Sequence, residues 1–226
     1  QVVVNVKIDL SEGSGGDNVY RACGETTTST EYTAGEGLFN ESILKDSEGM
    51  VIEKDTACGD LPYIKHSKVL SSIVPLGNNQ YNVFYDIVVE NDGALAGVYG
   101  LKDQPNFEDD IKIEDVTYTN TAGVPAISIG PIGPYPWPLA SGITLEGGGV
   151  DTFTVKVRVS IDLSAGSTGD NTYTACGAKV GGTAFEAGEG LFNVSLLTDF
   201  EGTVIEKDTA CGDLPYIVHE KTVASI

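Results

Sequence analysis

Gly35-Glu36-Gly37-Leu38-Phe39-Asn40, running on through Val51-Ile52-Glu53-Lys54-Asp55-Thr56-Ala57-Cys58-Gly59-Asp60-Leu61-Pro62-Tyr63-Ile64, occurs twice in this chain, its second copy beginning at Gly188 and ending at Ile217. Cysteines set the offset: Cys23 and Cys176 lie 153 residues apart (176 − 23), and so do Cys58 and Cys211 (211 − 58). Residues 1–73 then lie over 154–226 without a gap and with roughly two thirds identity. An internal period this long, well beyond a solenoid repeat, reads as whole domains in tandem.

The first copy lacks everything that precedes its Val-x-Val strand at Val4 to Leu10, so it holds only the second half of a domain. Half a sandwich cannot bury its own face. Either the 226 residues are a window on a longer repetitive chain, or a neighbouring molecule completes the subunit with its strands. The expected division is a C-terminal half-repeat at 1–65 and a complete repeat at 66–226, in which 216–226 form the junction to a next unit.

Composition narrows the class further. With 13 basic against 33 acidic residues the net charge is −20, which repels phosphates and excludes nucleic acid as a partner. Twenty-eight glycines and a wealth of Val, Ile, Thr and Tyr predict an all-β chain with many turns, and helical periodicity is absent throughout. No apolar run approaches the roughly 18 residues that span a bilayer, so no transmembrane segment is expected. Each copy carries two cysteines 35 apart, which we read as disulfides, Cys23 with Cys58 and Cys176 with Cys211. The alternative is a reduced core pair. Zinc is disfavoured because each copy offers only two Cys and one His, without a short C-x-x-C spacing. Disulfides place the chain in an oxidising, extracellular setting.

Alternation along the chain predicts the strands. Val2 to Leu10, Leu38 to Leu44 and Met50 to Lys54 are expected in the first copy, and Tyr63 to Val74 is either a linker or the first strand of the next domain. Tyr81 to Glu90 is the clearest strand, with Tyr81, Val83, Tyr85, Ile87 and Val89 on one face. Pro75 to Asn79 and Asn91-Asp92-Gly93 flank it as turns. Strands follow at Gly97 to Asp103, Ile111 to Thr119, Gly142 to Leu145 and Asp151 to Leu163, with a long Pro-rich loop at Gly123 to Leu139.

The order of motifs at Tyr81 to Gly93, Gly97 to Asp103, Ile143 to Val155 and Gly190 to Ser195 resembles the conserved repeat domain of large bacterial surface proteins. The resemblance covers most of residues 68–211 and implies tandem immunoglobulin-like β-sandwiches at the cell surface, with no catalytic residue to carry over. Two features depart from it: the cysteine-pinned excursion Ser164 to Glu189 and the Pro-rich loop. An intramolecular Lys–Asn isopeptide bond occurs in related surface sandwiches, and Lys68 on a first strand with Asn193 on a last strand has the matching topology.

Other candidate chemistry is sparse. His66 and His219 occupy equivalent positions, and no nucleophile elbow accompanies them. Glycines fall at strand turns without the Lys and helix of a phosphate loop. Oxygen ligands for calcium are offered by Glu108, Asp109 and Asp110, by Asp17 with Asn18 and Asp170 with Asn171, and by Asp55 to Asp60 with Asp208 to Asp213, though none matches an EF-hand; the plain alternative is a solvated acidic surface or turn-capping Asp and Asn. No cofactor is required. Asn40 and Asn193 head N-glycosylation sequons, and Thr56 and Thr209 sit in short O-glycosylation motifs. Trp137, among prolines, is either an exposed platform for a glycan or a plug in its own sandwich. The expected function is a non-enzymatic structural or adhesin repeat of a surface fibre, its partners being neighbouring repeats head to tail and a surface glycan or host ligand. Two other readings stand beside it: a filament subunit completed by strand donation, and a calcium-dependent carbohydrate-binding module.

Overall fold

The structure is a computed structural model that describes residues 3–6, 20–25, 32–125, 128–129, 135–164, 169–179 and 184–215. Among these residues there is no helix, and every strand pairing is antiparallel. A hairpin of β1 (Asn40–Lys45) and β2 (Val51–Ala57) stands first and pairs with no other strand among the described residues. Then follow β3 (Ile64–Gly77), β4 (Gln80–Asn91), β5 (Gly97–Pro105), β6 (Ile111–Asn120), β7 (Ser128–Ile129), β8 (Trp137–Leu145), β9 (Val150–Ile161), β10 (Asn193–Thr198) and β11 (Val204–Ala210). They form a five-stranded sheet in the order β3-β4-β9-β6-β7 and a four-stranded sheet in the order β11-β10-β5-β8.

The alternation expected of a half-buried strand holds in the two central strands. Val83, Tyr85, Ile87 and Val89 of β4 and Phe153, Val155, Val157 and Val159 of β9 are fully buried, while Tyr81 is partly so. Facing them from the other sheet are Tyr99 and Leu101 of β5, Trp137 and Leu139 of β8 and Leu197 of β10. Side chains that point to one face at every second residue let two sheets close over a single core, the arrangement of a β-sandwich.

Several expectations need correction. Pro75 to Gly77 belong to β3, and the turn is the two-residue Asn78-Asn79, both at positive φ (53° and 58°), a backbone that matches the twist of a tight hairpin. The stretch 123–139 is no single loop: Ser128–Ile129 pair with β6, and β8 begins at Trp137. Val3 to Val6, the described part of the expected first strand, carry no pairing. Their counterparts in β9 lie between β4 and β6. The complete sandwich begins at Ile64.

A short connector leads from the hairpin into β3. The Tyr63 amide donates to Asn91 Oδ1 (3.0 Å), the Asp92 amide donates to the Tyr63 carbonyl (2.9 Å), and the Tyr63 ring packs on Tyr20 at 5.4 Å. A side chain at Gly93 would set its Cβ 2.0 Å from the Leu61 carbonyl oxygen, so the turn after β4 must be glycine for the connector to lie there.

Candidate functional site

Both disulfides form, Cys23 with Cys58 and Cys176 with Cys211, each spanning 35 residues. The excursion that they pin is organised by a buried carboxylate in the Gly-Glu-Gly triplet of each copy. Glu189 accepts the amides of Glu186 (2.9 Å), Gly177 (2.9 Å) and Lys179 (2.6 Å), and Glu36 accepts those of Gly24 (2.9 Å) and Thr33 (3.1 Å). The Glu186 amide is the largest of the influences that hold the Glu189 carboxyl below its ordinary range. Sequence reasoning missed this role, although the triplet repeats at the fixed offset.

The sandwich brings Lys68 and Asn193 against the two oxygens of one carboxylate. Lys68 lies on β3 at the edge of the five-stranded sheet, and Asn193 opens β10 in the other sheet. Asn193 is on the penultimate strand, with β11 outside it, where the sequence suggested the last. Between them stands Asp103 of β5, which sequence reasoning did not single out. Lys68 Nζ contacts Asp103 Oδ1, and Asn193 Nδ2 donates to Asp103 Oδ2 at 3.0 Å. All three are buried, with Asp103 and Asn193 at 0% exposure, and Asn193 Oδ1 has no hydrogen-bond partner among the described residues. The Tyr85 ring lies beneath, 4.9 Å from Lys68 Nζ. Burial pulls the Lys68 amine below its ordinary range against the opposing carboxylates of Asp103 and Asp208. An amine held toward its neutral form, a carboxyl in contact with it and an amide on the far side of that carboxyl form a set for acyl transfer.

Side chains of β10 and β11 also grip β3. The His66 amide and ring Nδ1 both meet Glu206 Oε2 at 2.8 Å, His66 Nε2 meets Ser195 Oγ at 2.9 Å, and the Lys68 amide donates to Asp208 Oδ2 at 2.6 Å. Burial raises the Glu206 carboxyl, but hydrogen bonds from the His66 ring and amide carry it below its usual range. Ser195, His66 and Glu206 thus stand in the order of a nucleophile relay. Ser195 is at 0% exposure, however, and a hydroxyl sealed in the core meets no substrate. The three residues fasten strand to strand.

The remaining candidates are placed as follows. Asp109, Asp110 and Asp170 come together with Glu108, their carboxylate oxygens within 4.8 Å of one another, while Asp17 lies outside the described residues. Oxygen donors of this kind suit a hard cation. Glu108 and Asp110 are buried, while Asp109 and Asp170 are exposed. Burial, and then the neighbouring Asp109, raise the Glu108 carboxyl from 4.5 to about 7. A carboxyl raised on folding costs stability as pH climbs from its unfolded value toward its folded one. The Glu108→Gln variant is therefore expected to lose part of the fall in melting temperature between pH 5 and pH 8, by about 2 °C or more. Thermal scans at the two pH values check it, and parallel curves for the two proteins would refute it.

Trp137 is 1% exposed and belongs to the core, so of its two readings the plug in its own sandwich holds and the exposed platform does not: its ring fills the space between the sheets. Asn193 is sealed as well, so the folded chain has no room for a glycan there. Asn40, Thr56 and Thr209 are exposed. His219 lies outside the described residues, as does the expected junction 216–226.

Fold and site together define an all-β sandwich with two disulfides and a buried Lys–Asp–Asn cluster joining its sheets. No protein-family model matches the chain, and no curated protein matches it. No helix of the described residues is long and apolar enough to cross a membrane.

Proposed function

We propose that this chain is a non-enzymatic, extracellular structural repeat of a surface fibre or stalk, its complete unit locked by an isopeptide bond between Lys68 and Asn193. The observation that carries this reading is the buried Lys68–Asp103–Asn193 cluster, set where one covalent bond would tie the first strand of one sheet to the penultimate strand of the other. Disulfides and a bond of this kind would both resist extension, which is what a load-bearing stalk requires.

The chemistry balances with the residues present. A half-turn of the Asn193 amide sets its unpartnered oxygen against Asp103, and a proton passed from Lys68 Nζ to Asp103 leaves the amine neutral and lets the carboxyl polarise the carbonyl. The neutral Lys68 amine attacks Asn193 Cγ, forming the new C–N bond. Asp103 gives its proton to the amide nitrogen, which leaves as ammonia, and takes one from Nζ in exchange. No oxidant or cofactor enters, and the apolar surroundings keep competing water away.

Intact mass is the test. The folded chain is expected to weigh one ammonia less than its sequence requires, and Lys68→Ala or Asn193→Ala to restore the full mass. A full-length mass in the unsubstituted, disulfide-bonded protein would overturn the cross-link.

A further inference from the structure

The first hairpin keeps every group by which the second one reads β3. In the complete unit those groups are Asn193 at the cross-link, Ser195 and Glu206 on His66, and Asp208 on the Lys68 amide. At the 153-residue offset stand Asn40, Ser42, Glu53 and Asp55, the same four residue types, and all four are exposed. The backbone repeats too. Asn40 pairs with Ala57 as Asn193 pairs with Ala210, and both hairpins shift register at the same place, after Leu44 and after Leu197.

The two hairpins differ in what covers them. The edge of β10 away from β11 pairs with β5, and Leu196 and Leu197 are 8% and 0% exposed. Their counterparts Ile43 and Leu44 are 45% and 55% exposed, and Val51 and Ile52 of β2 also face solvent. Four apolar side chains and four strand-reading polar ones on one two-stranded sheet mark an unfilled interface, since an isolated hairpin of this kind is marginal in water. The sequence to be read is periodic as well: His219 and Lys221 follow the second hairpin at the spacing at which His66 and Lys68 follow the first.

We propose that β1–β2 is the acceptor half of a second cross-linked sandwich, in which Asn40 forms an isopeptide bond with a lysine of a stretch like residues 64–153. The occupant is defined by its chemistry: a half-sandwich whose edge strand presents His-x-Lys to Ser42, Glu53 and Asp55, and whose β5-like strand presents an aspartate beside Asn40. This rests on the cross-link reading above. Bond formation is the same exchange, with lysine nitrogen joined to Asn40 Cγ and ammonia released.

The test uses the full chain extended by one copy of residues 64–153 placed ahead of residue 1, which continues the repeat in register. Two ammonia losses are expected, with Asn40→Ala restoring one and Asn193→Ala the other. Amide exchange at Asn40–Lys45 is expected to slow at least tenfold relative to the unextended chain. A single loss, abolished by Asn193→Ala, would overturn this inference and leave the proposed function standing. No loss at all would remove both. Fast exchange at Asn40–Lys45 in the extended chain would overturn the docking itself.

Discussion

Asp103→Ala is expected to return the chain to its unlinked mass and to lower the melting temperature of the complete sandwich by about 20 °C. Two losses combine. Removing the carboxylate leaves the Lys68 amine buried beside no counter-charge, and breaking a buried pair from one side costs about 3–5 kcal/mol. The cross-link from 68 to 193 would close a loop of more than a hundred residues, and its loss removes about 5 kcal/mol in the chain-entropy view. At this size each kcal/mol shifts the midpoint by about 2–4 °C. Asn193→Ala separates the two effects: it keeps Lys68 beside Asp103, so the mass should still be unlinked while the midpoint falls less. Calorimetry with intact mass on the same samples decides the matter. Continued loss of ammonia in Asp103→Ala would show that the carboxyl relays no proton.

Replacing Cys176 and Cys211 together by serine is expected to lower the same midpoint by about 10 °C, corresponding to about 4 kcal/mol for a loop of this length. The disulfide spans 35 residues and encloses β10, so it tethers the hairpin that carries Asn193. Local packing adds to the effect. Gly190, at φ 36°, leaves no room for a Cβ between the Gly212 carbonyl (2.7 Å) and Cys176 Sγ (2.8 Å), so the cystine is part of a close-packed corner. The corresponding change at Cys23 and Cys58 spans the same separation but belongs to the uncovered hairpin, and the sandwich midpoint should barely move. Equal losses from the two pairs would refute the assignment of the stabilising effect to the enclosed hairpin.

Much of the fold was legible because its signals are local. Alternation at Tyr81 to Glu90 named the core face of β4, and the spacing of the cysteines named both disulfides. Lys68 and Asn193 were legible as a pair through the resemblance, but Asp103 was not. A single aspartate on a strand is indistinguishable in sequence from a solvent-facing one, and its burial is a matter of which sheet closes over it. The Gly-Glu-Gly carboxylates were overlooked for a similar reason. Their partners are backbone amides, which leave no residue type to read.

By itself the sequence determined the all-β class, the 153-residue period, the cysteine pairing and the faces of the long strands, all of which follow from side-chain period and exact repetition. Only the tertiary structure decided that Trp137 is core, that Ser195 and Asn193 are sealed, and that Asp103 stands between Lys68 and Asn193. It also decided that two nearly identical hairpins have different surroundings. Burial depends on which distant strands are present to cover a segment, and a segment's own residues do not record that.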